Sequence, residues 1–172
     1  DGSESVIVMT SRTGKQFPYF RHIREAINQL LDAAVAAGIE GATYLVLDGE
    51  LFARSIRISD AGGGGEKGSK FINGHAVFNF IQSAAGMKRT EPHPDEGQVE
   101  YHLFDVVDME LPQTERTKIL ESLFELPVTK APEFPIKRAI YTHYRCRQTE
   151  IEEIVRREHN AAIEAGDEGL VI

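Results

Sequence analysis

The stretch Leu47-Asp48-Gly49-Glu50-Leu51 decides how this chain is expected to fold. It completes the apolar, β-branched run Thr43 to Leu47, which predicts a buried central strand that delivers two acids to one edge of a sheet. Gly49 has no Cβ, so a ligand can approach the backbone closely there. The pattern therefore predicts a place where a nucleotide and its metal ion can bind.

Three other short segments also contain a carboxylate next to a glycine or an apolar run. Leu103-Phe104-Asp105-Val106-Val107 and Asp167-Glu168-Gly169-Leu170-Val171-Ile172 each carry a carboxylate at an apolar run, and the sequence opens on Asp1-Gly2. In this order they resemble the motifs of the covalent nucleotidyltransferases. The resemblance is strongest to the adenylation domain of ATP-dependent DNA ligases and extends loosely to the ligases of large tailed phages. Arg116 and Leu120, which follow Phe104-Asp105 at the family's interval, strengthen it.

The resemblance implies a fold and a domain organisation. The expected fold is α/β (α+β), an ATP-grasp-like nucleotidyltransferase domain with mainly antiparallel sheets flanked by helices. Residues 1–172 are expected to be a partial adenylation domain that runs to the fourth motif, without the oligonucleotide-binding domain. In the family pattern Lys-x-Asp-Gly, the lysine attacks the α-phosphate of ATP. That lysine would lie upstream of Asp1, so no catalytic residue is assigned within the chain, and this part alone is expected to be inactive.

Four site residues follow from the matching motifs. Glu50 is expected to contact the ribose of the nucleotide, Phe104 to stack on the adenine, and Glu168 to hold Mg²⁺ and the phosphates. Arg12, in Ser11-Arg12, is expected to bind phosphate at the DNA nick, because its planar guanidinium bonds phosphate oxygens in pairs. The cofactors implied are ATP and Mg²⁺, and the partner is nicked duplex DNA. The alternative for the acids is a solvated strand end, and for Phe104 it is a place in the core.

Two alternative functions remain open. The first is an RNA ligase or an mRNA-capping guanylyltransferase, which share the chemistry. The second is a non-catalytic nucleotidyltransferase-like binding domain. This second alternative is favoured by Glu4, which stands where the family motif Lys-x-Asp-Gly-x-Arg has an arginine, and by the acidic charge of the chain.

Composition narrows the class of protein. The 172 residues are 41% hydrophobic and 27% charged with a net charge of −8, and the apolar runs are too short to cross a membrane. Cys146 is the only cysteine, so an internal disulfide is excluded. We expect a monomer located in the cytoplasm, or in the nucleoid or host-cell interior if the protein is viral. The net charge does not favour DNA binding, which usually shows as a basic surface.

Periodicity predicts the remaining elements. Apolar spacings of three and four residues predict helices over Tyr19–Ala37 and Thr114–Leu126, and alternation predicts strands over Ser5–Thr10, Val99–Val107 and Ile136–Tyr144. Two shorter helices are expected, one capped by Asn73 and carrying Val77, Phe80 and Ile81, and one with a Thr149–Glu152 capping box that ends at Gly166. Gly62–Gly65 lacks the flanking features of a phosphate-binding loop and is expected to be a flexible surface insertion.

Overall fold

The computed structural model describes residues 7–58, 70–86, 90–139 and 145–165. Helices and strands both occur in this part of the chain, so the expected mixture of α and β structure is confirmed. The helices are α1 (Arg21–Ala36), α2 (His75–Ala84), α3 (Gln113–Glu125) and α4 (Ile151–Ala165), and the strands are β1 (Leu47–Phe52), β2 (Ser55–Ile58), β3 (Lys70–Asn73), β4 (Glu100–Val106) and β5 (Ile136–Arg138).

The described strands form two small sheets. In the first, β4 lies between β1 and β5, antiparallel to β1 and parallel to β5. The second is the antiparallel pair of β2 and β3. Two of the three strand pairings are therefore antiparallel.

A single apolar core joins the larger sheet to α1 and α3. Ile23 and Leu30 of α1 and Leu103 of β4 are completely buried, and Leu120 and Leu123 of α3 pack into the same cluster. Ile23 and Leu30 are seven positions apart and Leu120 and Leu123 are three apart, so each pair shares one face of its helix. The helices α1 and α3 were predicted within two residues of their observed bounds.

The start of α1 depends on a buried acid. Phe20, just before the helix, has a left-handed backbone with φ of 63° and is completely buried. Its N–H donates to Oε1 of Glu96 at 3.1 Å. A carboxylate at a helix N-terminus also interacts favourably with the helix dipole. Glu96 therefore fixes where α1 begins from a point far along the chain.

An ion pair ties the end of β4 to α3. The Arg116 guanidinium donates from Nε to Oδ2 of Asp105 at 3.0 Å and from Nη2 to the same oxygen at 2.9 Å. Its Nη1 donates to the Leu111 carbonyl at 2.9 Å. The hydrogen bond to Asp105 raises the pKa of Arg116 above its ordinary value. The motif residues Asp105 and Arg116 thus hold strand and helix together.

The central strand predicted over Thr43–Leu47 is wrong. Residues Ala42–Tyr44 form a turn of 3₁₀ helix that follows Gly41, whose φ is 74°. The side chains of Tyr44 and Val46 are 89% and 60% exposed. The strand begins only at Leu47, and β1 lies at the edge of its sheet in the described structure. The apolar content of this segment therefore predicted a strand, but Gly41, with its left-handed backbone, begins a turn there.

Both predicted helix caps are also wrong. Asn73 ends β3, and Gly74 with φ of 55° is the residue that precedes α2. Before α4, the Glu150 carboxylate accepts the Arg147 N–H at 2.8 Å, earlier in the chain than the expected Thr149–Glu152 box. A sequence contains many more Ser, Thr, Asp and Asn residues than helix starts. A single matching residue therefore easily indicates the wrong start for a helix.

Other predicted elements lie only partly within the described chain. Residues 7–10 contain an isolated bridge between Thr10 and Gln16 in place of a longer strand, and β5 covers the first three residues of its predicted range. Residues 1–6, 62–65, 140–144 and 166–172 lie outside the described residues. No helix in the described ranges is long and apolar enough to cross a membrane.

Candidate functional site

A cleft of about 2070 Å³ opens beside the edge strand β1. Its walls come from residues 7–17, from β1 and β4, and from α2. Arg12, Glu50 and Phe104 all line it. Three of the four predicted site residues, taken from three separate motifs, therefore share one cavity; the fourth, Glu168, lies outside the described residues.

Arg12 lies on a tight, internally bonded turn. The Ser11 N–H donates to the Lys15 carbonyl at 2.8 Å, and the Gly14 N–H donates to the Ser11 carbonyl at 2.8 Å. Gly14 has φ of 75°, a conformation that glycine adopts without steric cost. The turn leaves the side chains of Arg12 and Lys15 exposed on the wall of the cleft.

Glu50 lies in the middle of β1, where partly buried and exposed side chains alternate and its own side chain is exposed. Leu47 and Leu51 are partly buried and pack on the core, whereas Asp48 and Glu50 are exposed. Successive side chains of a strand point to opposite faces, so both acids lie on the face away from the core. They are the two acids that line the cleft within the described chain.

Phe104 occupies a β-bulge. Asp48 pairs with Asp105 and Gly49 pairs with Leu103, so Phe104 is the additional residue between them. A bulge bends its strand and re-aims a side chain. Phe104 is only partly buried and does not belong to the buried core cluster, whereas its neighbours Leu103 and Val106 do. Its side chain therefore lies on the wall of the cleft and is not enclosed by the core.

Gly49 allows the two strands to approach at this bulge. A Cβ built on Gly49 would lie 2.4 Å from the His102 carbonyl oxygen and 2.8 Å from Cζ of Tyr101. Real Cβ atoms do not approach other atoms so closely, so the glycine is required by packing. The Asp-Gly-Glu motif thus has a structural reason for its glycine before any ligand is considered.

Tyr101 is a neighbour to which the sequence assigns no role. Its hydroxyl donates to the Leu47 carbonyl at 3.1 Å, so its ring spans β1 from Leu47 to Gly49. Burial, and to a smaller extent the charge of Asp48, raises the pKa of Tyr101 to about 12. No residue pattern in the sequence singles it out, because its role depends on the register between β1 and β4.

Helix α2 adds an aromatic pair to the cleft. The rings of His75 and Phe78 lie 6.2 Å apart at an angle of 17°, and Phe78 is 43% exposed. Both residues line the cleft, as does the buried Val77 of the same helix, whereas Phe80 is buried and does not line it. Helical periodicity predicted that Val77 and Phe80 share a face, but only the tertiary structure brings His75 and Phe78 to the cleft.

The described residues do not complete a metal site. No group of three or more His, Cys, Asp or Glu side chains within them is arranged to hold a metal ion. Asp48 and Glu50 offer carboxylate oxygens, which Mg²⁺ prefers as ligands. The predicted metal ligand, Glu168, lies beyond these residues.

Comparison of the chain with protein-family models, with curated proteins and with solved structures finds no match. Function is therefore inferred from the motifs and from the geometry of the cleft.

Replacing Gly49 by alanine should destabilise the fold, because the new methyl group overlaps the His102 carbonyl and the Tyr101 ring. The expected loss is about 1–3 kcal/mol of the free energy of unfolding, the usual cost of overpacking. Gly97→Ala is the matched control, since a Cβ there meets nothing within 4 Å and φ is not positive. Urea unfolding of both variants measures the difference, and equal stability would contradict the close approach at Gly49.

Tyr101 should make stability depend on alkaline pH. Its pKa rises from 10.0 to about 12 on folding, so the unfolded chain loses this proton first and the folded state loses stability as pH rises through that interval. The contribution is on the order of 2 kcal/mol. Tyr101→Phe should lose less stability than the wild type between pH 10 and pH 12, whereas Tyr44→Phe, at an exposed tyrosine, should follow the wild type. Parallel curves for wild type and Tyr101→Phe would refute the assignment.

Proposed function

We propose that this chain is the nucleotide-binding part of the adenylation domain of an ATP-dependent DNA ligase. The observation that carries the proposal is the convergence of Arg12, Glu50 and Phe104 on one cleft. Motif order in the sequence, which contains no information about cavities, points to the same three residues. On this proposal the small mixed sheets belong to an ATP-grasp-like nucleotidyltransferase fold.

The aromatic wall supports binding of a nucleotide. A partly exposed phenylalanine on a bulge offers a ring face on which a base stacks, worth about 1–3 kcal/mol per base. Ligand pockets usually measure about 300–1,000 Å³. A cleft of about 2070 Å³ has space for ATP and for part of a second substrate.

The polar wall supports a division of roles around the nucleotide. Glu50, exposed on the edge strand, would accept hydrogen bonds from the ribose hydroxyls. Arg12, with Lys15 beside it on the same turn, would bind phosphate oxygens at the DNA nick. Mg²⁺ would offset the charge of the triphosphate, with Glu168 as the proposed ligand. A lysine upstream of Asp1 would attack the α-phosphate, forming a lysyl-adenylate and releasing pyrophosphate.

The acidic net charge of −8 is compatible with a DNA substrate, because only the charges near the phosphates matter at physiological ionic strength. The cleft itself carries cations on the Arg12–Lys15 turn. In the proposed family, an oligonucleotide-binding domain supplies much of the remaining DNA surface. Nicked duplex DNA is therefore proposed as the partner.

Replacing Phe104 by alanine should lower ATP affinity more than stability. The expected loss of binding free energy is about 1–3 kcal/mol, and Phe104→Tyr should bind nearly as well as wild type because it keeps the ring. Phe134→Ala is the control, since Phe134 is 5% exposed and a buried Phe→Ala costs about 3–5 kcal/mol of stability. Titration with fluorescent ATP and thermal unfolding separate the two effects. Early melting of Phe104→Ala with normal ATP affinity at low temperature would assign Phe104 to the core.

The protein encoded by the complete reading frame tests the reaction. With labelled ATP and Mg²⁺ it should form an adduct that survives denaturation, whereas residues 1–172 alone should form none. Glu50→Ala should slow adduct formation by about tenfold or more, equivalent to ~1.4 kcal/mol lost from the transition state. Nick sealing on DNA and on RNA then distinguishes a DNA ligase from an RNA ligase. Transfer of GMP from GTP would indicate a capping enzyme, and absence of any adduct would leave a binding domain.

A further inference from the structure

The paired strands β2 and β3, together with Arg54 and here called the basic ribbon, have a charge opposite to that of the chain. Residues 54–58 and 70–73 contain Arg54, Arg57 and Lys70 and no acid, although the whole chain carries a net charge of −8. A local excess of cations in an acidic protein indicates a surface suited to an anionic partner.

The two faces of the basic ribbon differ in exposure. Ile56 is completely buried and its cross-strand partner Ile72 is partly buried. Arg57 and Phe71 form the next cross-strand pair and are exposed, with Phe71 68% exposed. Side chains directly opposite each other in an antiparallel pair lie on the same face. The outer face therefore presents an arginine and an aromatic ring together.

Arg57 is held in place at both its backbone and its side chain. Its N–H donates to Oε1 of Gln98 at 2.8 Å, and Nε2 of Gln98 donates to its carbonyl at 2.7 Å. The Gln98 side-chain amide thus makes the two backbone hydrogen bonds that a neighbouring strand would make. The guanidinium carbon lies 5.9 Å from the centre of the Phe71 ring, within the range of a cation–π interaction. Such a side chain gives up less conformational entropy when it binds a phosphate.

The basic ribbon lies directly after the wall of the cleft in the chain. Phe52, the last residue of β1, lines the cleft, and β2 begins at Ser55. A polymer with its reacting end in the cleft could therefore extend along the ribbon. The planar guanidinium of arginine suits such a polymer, because it both stacks on aromatic rings and bonds phosphate oxygens in pairs.

We propose that the basic ribbon binds the phosphate backbone of duplex DNA outside the nucleotide cleft. Arg57 makes the phosphate contact, Lys70 adds positive charge beside it, and Phe71 positions the Arg57 guanidinium. The inference rests on the proposed function for the identity of the polymer. Contacts of this kind position a duplex and carry no sequence information, so binding should be independent of sequence.

The direct test is a salt titration of DNA binding by the 172-residue chain. Fluorescence anisotropy with a labelled nicked duplex gives the slope of log K against log salt concentration. Arg57→Gln should bind severalfold more weakly and reduce the magnitude of the slope by about one, as expected when one cation no longer neutralises a phosphate. The hydrogen bonds from Gln98 to the backbone remain possible in this variant. Arg156→Ala, at an arginine that is 71% exposed on α4, is the control and should retain the wild-type slope.

A second pair of variants tests the role of Phe71. Phe71→Tyr keeps the ring and should bind as wild type. Phe71→Leu keeps apolar bulk but removes the cation–π interaction, and should weaken DNA binding by about twofold to fivefold. Thermal unfolding shows whether either variant is misfolded, and fluorescent ATP should bind to both as to wild type.

The outcomes separate this inference from the proposed function. An unchanged salt slope in Arg57→Gln, with DNA and ATP binding intact, would overturn the inference and leave the nucleotide site standing. Failure of the wild-type chain to bind nicked duplex at low salt would overturn the inference and also the proposed substrate. Preference for single-stranded DNA, with dependence on Phe71 and none on Arg57, would replace backbone binding by base stacking and likewise overturn it.

Discussion

The pairing of β1 with β4 around Gly49 is the constraint on which the candidate site depends. The strands approach so closely that a Cβ at Gly49 would lie 2.4 Å from a backbone oxygen. Tyr101 closes this approach from the side with its ring and its hydroxyl bond to Leu47. The register shift at the same point makes Phe104 the bulged residue, and the alternation of β1 leaves Glu50 exposed. The close approach at Gly49 and the bulge beside it thus bring an aromatic ring and a carboxylate to one cleft.

That strand pair is anchored to the rest of the molecule through a few specific interactions. Asp105 and Arg116 join the end of β4 to α3, beside the fully buried Leu103. The buried Glu96 carboxylate fixes the first residue before α1. A partly buried ion pair such as Asp105–Arg116 adds little net stability but disfavours other arrangements when it is correctly formed. The main effect of these interactions is to fix β4 relative to α3 and to fix the start of α1. The apolar core alone is less specific about these positions.

Charge is distributed unevenly over the chain, and the distribution carries more information than the total. Within the described residues, cations lie on the turn around Arg12, which lines the cleft, and on the basic ribbon around Arg57, which follows the cleft strand β1. Exposed charges separated by more than about 8–10 Å are largely screened at physiological salt. A polyanion near the cleft would therefore respond to these local cations, although the whole protein carries a net charge of −8.

The sequence by itself determined the local features: the faces of α1 and α3 and the strand β4. It also singled out Arg12, Glu50 and Phe104, but only the tertiary structure brings them to one cleft. Each depends on a short-range pattern or on motif order. The turn at Ala42–Tyr44, the edge position of β1 and the starts of α2 and α4 were decided only by tertiary structure. The same holds for Tyr101, Gln98 and the pairing of Arg57 with Phe71. These features depend on strand register and on contacts between residues distant in sequence, which the pattern of a single strand or helix does not contain.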